Sequence, residues 1–422
     1  MISVDLSNIW SSVSLPDLLS GEKDLFDAHL LLRANEENQP RFLGWLAARQ
    51  SAMMRAIHEI RSAAERIRQQ SDTLVVLGSG GPFLAAQAGV GFLGALSDSP
   101  RMFYAGDSLS TNAWLSLCEQ LEDHNFSLQL ISGAKPGLAA SAASRSLRWL
   151  LERRYGPEAK SRVYVSAPAG SALHSMAKEE GFTFLPQPTD PGCTVSALSP
   201  AALLPMAVAG TDPLSVVEGA AQADQDYDLR AFENPVWMYA GARHALEYRG
   251  RHTELLCRVD PALSAFGAWW EDMAARLCCQ GGYGLWPACL ELPAKLGLLD
   301  AMLPGAKGFF ETILRTPDER RKSTVEMDWK DYDGQSFLSG HTLGEAEQAV
   351  LDAAVQNHAA QDVPVILMES DAADAAGLGE LFYFFELAAA LSAAADGLDP
   401  FRREARASAD AAAQLLSQGG EM

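Results

Sequence analysis

Hydrophobic and polar positions follow two different periods along the first half of the chain. Residues 41–70 carry apolar side chains at helical spacing, among them Ile57, Ile60 and Ile67, which predicts an amphipathic helix. Short apolar runs then alternate with helix-compatible segments. Strands are predicted at 74–77, 101–106, 127–132 and 162–166, and helices at 83–96, 139–155 and 171–180. This alternation predicts a parallel sheet with helices on both faces.

The same alternation resumes after a proline-rich stretch at 186–192. The predicted elements are helices at 203–209 and 213–222, a strand at 254–259, a helix through Trp269 and Trp270, a strand at 363–369, and an apolar helix at 378–391. We therefore expect an α/β chain with two parallel-sheet domains in tandem. The expected divisions are a helical N-terminal extension (1–48), a first domain (49–196), a second domain with a helical insert (197–400) and a C-terminal helix or tail (401–422).

Composition narrows the classes of partner. Acidic residues outnumber basic ones by 54 to 33 in 422 residues, which gives a net charge of −21. Nucleic acids and anionic membranes are bound by clustered Lys and Arg, so neither is expected as a partner. We see no signal peptide and expect no membrane-spanning stretch. The six cysteines lack CxxC spacing, which indicates reduced thiols in a cytoplasmic protein without a metal site.

A glycine-rich turn follows the first predicted strand of the sheet. Gly78, Gly80 and Gly81 stand between that strand and the next helix, and Pro82 follows them. Such a turn lets the backbone approach an anion at a helix N-terminus. The spacing is neither the GxGxxG of a dinucleotide fold nor a P-loop. Two interpretations stay open: the glycines serve only the tight turn, or Gly80 and Gly81 also bind an anion through backbone amides.

Several short sequence segments resemble motifs of the phosphoglucose isomerase family and occur in the same order as in that family. They are the segments 198–212, 234–236, 267–270, 284–287, 310–312 and 379–401, together with the glycine turn and residues 104–110. The resemblance covers roughly residues 50 to 415. It implies two flavodoxin-like sugar-isomerase (SIS) domains, a homodimer with sites shared between subunits, and a phosphorylated sugar as ligand. The family interconverts glucose 6-phosphate and fructose 6-phosphate without a metal or other cofactor.

The chemically important positions of that family differ in this chain. Isomerisation needs a base that carries a proton between two carbons, and cations that stabilise the enediolate and the phosphate. The resemblance places Arg276 at the position of the family's proton-transferring Glu and Asp410 at that of its Lys. The segment 296–300 stands where the family has a His. The phosphate loop becomes 132–137, in which Ser132 keeps its place and Lys135 is shifted.

The residues implied for substrate binding are Gly80, Gly81, Ser132, Lys135 and Thr194. Three function hypotheses follow from this pattern. The first is a family member that has lost the isomerase chemistry, because several catalytic groups are replaced and each typically contributes a hundredfold or more to the rate. The second is an active isomerase with relocated groups, using Glu271 or Glu291 as base and Lys135 on the phosphate. The third is a sensor that binds a sugar phosphate without turnover.

Overall fold

A computed structural model describes residues 1–38, 51–133, 135–188, 197–292, 294–302, 307–316, 323–371, 374–400 and 407–418. The strands are β1 (Ile2–Asn8), β2 (Thr73–Leu77), β3 (Arg101–Ala105), β4 (Phe126–Ile131), β5 (Val163–Pro168), β6 (Thr183–Gln187), β7 (Thr253–Arg258), β8 (Trp286–Glu291), β9 (Phe309–Arg315) and β10 (Val365–Ser370). The helices are α1 (Leu15–Ser20), α2 (Glu22–Asn38), α3 (Ser51–Gln70), α4 (Gly81–Leu93), α5 (Thr111–Leu121), α6 (Leu138–Tyr155), α7 (Ala172–Glu180), α8 (Pro200–Ala209), α9 (Pro213–Asp226), α10 (Pro235–Tyr248), α11 (Ser264–Cys278), α12 (Leu296–Met302), α13 (Leu343–Ala360), α14 (Ala375–Ala395) and α15 (Ala407–Gln418).

The first sheet is wholly parallel, in the order β3-β2-β4-β5-β6. Numbered from its own first strand this order is 2-1-3-4-5, which is that of flavodoxin-like folds. Strand β2 is buried along its whole length, as expected for a central strand covered on both faces. The point where the strand order reverses lies between β2 and β4. In open α/β sheets this is where ligands bind.

The second sheet has the order β1-β10-β9-β7-β8. Its four parallel strands repeat the 2-1-3-4 arrangement of the first sheet, and β1 adds an antiparallel edge on β10. The prediction of two tandem parallel-sheet domains is confirmed. The prediction that 1–48 is a helical extension is wrong for Ile2–Asn8, because Ile2, Val4 and Leu6 alternate inward as a strand.

The two faces of the first sheet bury separate cores. Leu74 and Val76 face α3, α4 and α8, and this core continues into the second domain. Val75 and Leu77 point the opposite way, toward α5, α6 and α7. The side chains of β2 therefore alternate between an inner face, which joins the domains, and an outer face.

Helix α14 is a long and strongly apolar helix, with most of its residues buried. It is the one helix among the described residues that is long and apolar enough to cross a membrane, which corrects the expectation that no such stretch exists. However, 83% of its apolar window is buried inside the fold, where it packs on α2, α9, α10 and α11. It is therefore placed as a core helix.

A buried polar cluster ties α10 to the second sheet. The Glu254 carboxylate accepts hydrogen bonds from Arg243 Nε at 2.8 Å, from the Tyr239 hydroxyl at 2.5 Å and from Thr312 Oγ1 at 2.6 Å. Both charged side chains are buried. A buried charge is tolerated only when it is paired and hydrogen-bonded, and this one meets both conditions.

Candidate functional site

Three loops meet at the carboxyl edge of the first sheet, around the point where the strand order reverses. They follow β2 (residues 78–80), β3 (106–110) and β4 (132–133 and 135–137). The amide of Gly78 donates to Ala105 O at 3.0 Å, and Ser79 Oγ stands 3.8 Å from the Cβ position of Gly137. Carboxyl ends of parallel strands are the usual place for a ligand in such sheets. The glycine turn therefore lies where the fold favours binding.

Gly80 shapes the floor of this site. Its φ is +79°, a conformation that other residues rarely adopt, and it starts α4 without any side-chain cap. The 13-residue helix that follows directs the positive end of its dipole toward this turn. A Cβ at Gly80 would stand 3.3 Å from Arg276 Nη2. A guanidinium from the second domain thus lies directly over the turn.

Arg276 is held in place by a carboxylate one helical turn earlier. Its Nε and Nη2 donate to the two oxygens of Asp272 at 2.7 and 2.8 Å. Both side chains are about one-quarter exposed. The i,i+4 spacing puts them on one face of α11. Asp272 is the site residue whose role the sequence interpretation missed, and this spacing to Arg276 is the signal that could have revealed it.

A second opposite-charge pair stands at the loop after β4. Lys135 Nζ lies 2.9 Å from Asp410 Oδ1, which joins the loop to α15 across 275 positions of sequence. Both side chains are more than half exposed. Two residues that the family resemblance singled out separately are therefore brought into contact. The Asp410 carboxylate occupies the side of Lys135 that an incoming anion would also seek.

Glu271 faces a different direction from its neighbour Asp272. It is exposed on α11, one turn after Gly267, where the buried side chain of Arg258 passes close to the helix. Partial loss of hydration raises the pKa of Glu271, while the positive charge of Arg258 opposes that shift. Glu291 ends β8 directly opposite Arg258 in the strand register. Both acids therefore belong to the edge of the second sheet around Arg258.

The remaining predicted residues fall in three places. Ser132 is half-buried at the end of β4, where its hydroxyl donates to Gly133 O at 3.0 Å. Thr194 lies outside the described residues. The segment 296–300 forms the first turns of α12, with Leu299 buried. Among the residues described, no three His, Cys, Asp or Glu side chains come close enough to share a metal ion.

Sequence comparison identifies relatives over most of the chain. A glucose-6-phosphate isomerase of Listeria monocytogenes is 31% identical over 372 residues, which cover 85% of this chain and 83% of that protein. The glucose-6-phosphate isomerase of Streptococcus thermophilus is also 31% identical, over 86% of this chain and 84% of that protein. A scan against protein-family models gives no match.

Solved structures share the fold at lower identity. A hypothetical protein from Thermus thermophilus superposes with a TM-score of 0.84 at 18% identity, covering 99% of both chains. A glucose-6-phosphate isomerase from Chlamydia trachomatis gives a TM-score of 0.82 at 14% identity, covering all of this chain and 89% of that one. Full-length similarity in fold, together with 31% identity over 85% of the chain, shows that this chain belongs to the glucose-6-phosphate isomerase family.

Proposed function

We propose that this chain binds a sugar phosphate at the glycine turn but does not isomerise it. The observation that carries the proposal is the Arg276–Asp272 pair over Gly80. The resemblance puts the family's proton-transferring carboxylate at position 276. A guanidinium stays protonated at all ordinary pH values, so it cannot take up the C2 or C1 proton of a sugar.

The charges around the loops support retained anion binding. Arg276 contributes a fixed positive charge beside the uncapped start of α4, and Lys135 contributes another on the neighbouring loop. Guanidinium and backbone N–H groups together suit a phosphate monoester. Each cation is paired with a carboxylate, so a phosphate must compete with Asp272 and Asp410 for these donors. We therefore expect binding of modest affinity.

Charge variants of the two pairs should change affinity in opposite directions. Replacing Arg276 or Lys135 with alanine is expected to weaken fructose 6-phosphate binding by roughly tenfold, because one charge-assisted contact is lost. Asp272→Asn and Asp410→Asn are expected to strengthen binding, because a competing negative charge is removed. Isothermal titration calorimetry of the full chain measures each affinity, with unphosphorylated fructose as the control ligand.

Arg153→Ala is the matched control variant, since it removes one guanidinium from a surface position on α6 that stacks on Trp149. It should leave the affinity for fructose 6-phosphate unchanged. Binding of fructose as tight as that of fructose 6-phosphate would contradict a phosphate-directed site. So would affinities that do not respond to any of the four charge changes.

A second candidate is an active isomerase that uses Glu271 as base. The observation in its favour is the raised pKa of Glu271, since a general base works best with a pKa near the working pH. Identity of 31% to proteins named glucose-6-phosphate isomerase also favours retained chemistry. Turnover that depends on Glu271, measured as described in the Discussion, separates this candidate from the first.

We further propose that the protein is a homodimer. The segment of residues 323–342, between β9 and α13, exposes three aromatic side chains: Trp329 is 88% exposed, Tyr332 83% and Phe337 67%. Contiguous patches of exposed apolar groups mark interaction surfaces, and these three aromatic residues lie close together in sequence. Light scattering after size exclusion should give twice the 45.4 kDa of one chain. Replacing all three aromatics with serine should yield monomers, and a monomeric wild type would contradict the proposal.

A further inference from the structure

A second cavity lies on the outer face of the first sheet, between α6 and α7. Its volume is about 210 Å³. The ends of β2 and β4 form its base, with Leu77 as one of the base residues, and Leu173 and Met176 of α7 form one wall. The opposite wall is the polar side of α6, from Ser141 to Arg148. The cavity therefore combines an apolar interior with one polar wall, which is the usual composition of a small-molecule site.

Two arginines of α6 line this cavity without a carboxylate partner. Within the described part of the chain, neither Arg145 nor Arg148 forms an ion pair or a hydrogen bond. Arg148 is half-buried, and its Nε is buried with no acceptor. A buried donor without an acceptor is costly, and acids outnumber bases by 54 to 33 in this chain. Two unpaired guanidinium groups at one cavity are therefore suited to an anion that is not part of the chain.

This cavity is separate from the candidate site at the glycine turn, which we call the cleft. Gly80, Lys135 and Arg276 are not among its lining residues. Leu77 points to the outer face of the sheet, whereas Arg276 approaches from the second domain on the inner side. The two sites are neighbours: Pro136 of the cavity follows Lys135 in sequence, and the lining residues Ile131 and Ala140 stand against the Cβ positions of Gly78 and Gly106. A ligand in the cavity would therefore touch the back of the loop that carries Lys135.

We propose that the α6–α7 cavity binds a small amphiphilic anion, with its oxyanion head on Arg145 and Arg148 and a compact apolar body against Leu77, Leu173 and Met176. An apolar cavity of about 150 Å³ is large enough for benzene, so this one accommodates an aromatic ring with a short attachment. Guanidinium groups bind carboxylate and phosphate alike through paired N–H donors. The inference does not depend on the function proposed for the cleft.

The test is isothermal titration calorimetry of the 422-residue chain with phenyl phosphate and benzoate as probes. Both are expected to bind saturably. Benzyl alcohol lacks the anionic head and inorganic phosphate lacks the ring, so each should bind at least roughly tenfold more weakly. Arg148→Ala and Arg145→Ala should each weaken phenyl phosphate binding by roughly tenfold. Ser144→Phe, which fills the cavity from α6, should abolish it.

Arg153→Ala removes a guanidinium from the same helix outside the cavity and should leave the affinity for phenyl phosphate unchanged. Saturating fructose 6-phosphate should not displace phenyl phosphate if the two sites are separate. The proposal fails if neither probe binds with a Kd below about 10 mM. It also fails if Arg148→Ala binds as tightly as the wild type, or if fructose 6-phosphate displaces the probe.

Discussion

Replacing Gly379 with alanine is expected to lower the free energy of unfolding by about 3 kcal/mol or more. A Cβ at this position would stand 1.9 Å from Val216 O and 2.9 Å from Ala220 N. These are backbone atoms of the neighbouring helix α9, so no side chain can rotate away to make room. The reciprocal contact is equally close, because a Cβ at Gly219 would stand 1.9 Å from Ala376 O. Helices α9 and α14 would have to separate along their whole crossing.

Gly344→Ala is the matched control, since Gly344 also lies in a helix and has nothing within 4 Å of its Cβ position. There, alanine is expected to stabilise the protein by about 0.5–1 kcal/mol through its higher helix propensity. Chemical denaturation followed by circular dichroism measures both variants. Equal effects of the two substitutions would show that α9 and α14 are not packed backbone to backbone.

The central strands could be predicted from the sequence because burial on both faces leaves an uninterrupted apolar run. Strands β2, β4 and β5 are buried throughout and were expected within one or two residues. Strands β6 and β8 were missed. Each has exposed positions and contains a proline, Pro186 in β6 and Pro287 in β8, which are typical of loops and edge strands. Both lie at sheet edges, where a strand pairs on one side only and can therefore contain proline and exposed positions.

Strand β1 was missed for a different reason. Its partner β10 is more than 350 residues away, and long-range pairing leaves no local signal beyond alternation. Strand β9 was not predicted as a strand, although it lies in the centre of the second sheet. Only the segment 310–312 within it was noted, as one that resembles the family.

The cleft was predicted in part. The position of Gly80 and Gly81 at the edge of the first sheet follows from a strand–glycine–helix pattern that is local in sequence. The contact between Lys135 and Asp410 could not be predicted, because it depends on how α15 returns across the first domain. The contact between Arg276 and Gly80 likewise depends on how the two domains pack.

The protein is expected to interconvert glucose 6-phosphate and fructose 6-phosphate at least about 10⁴-fold more slowly than a typical enzyme. Loss of a general base costs about 10²–10⁴ in rate, and loss of a charge-stabilising group costs about 10²–10³. The proposal places both losses in this site, with Arg276 in place of the base and Asp410 in place of the lysine. Starting from about 10 per second, the rate falls below about 10⁻³ per second.

One measurement tests most directly whether the protein keeps the family's framework but no longer moves protons. The protein, purified from a host that lacks its own glucose-6-phosphate isomerase, is incubated with fructose 6-phosphate, and glucose 6-phosphate formation is followed with a coupled dehydrogenase. Glu271→Gln is assayed in parallel. We predict a rate below about 10⁻³ per second that Glu271→Gln does not change. Turnover of about 1 per second or more that is lost in Glu271→Gln would contradict the account.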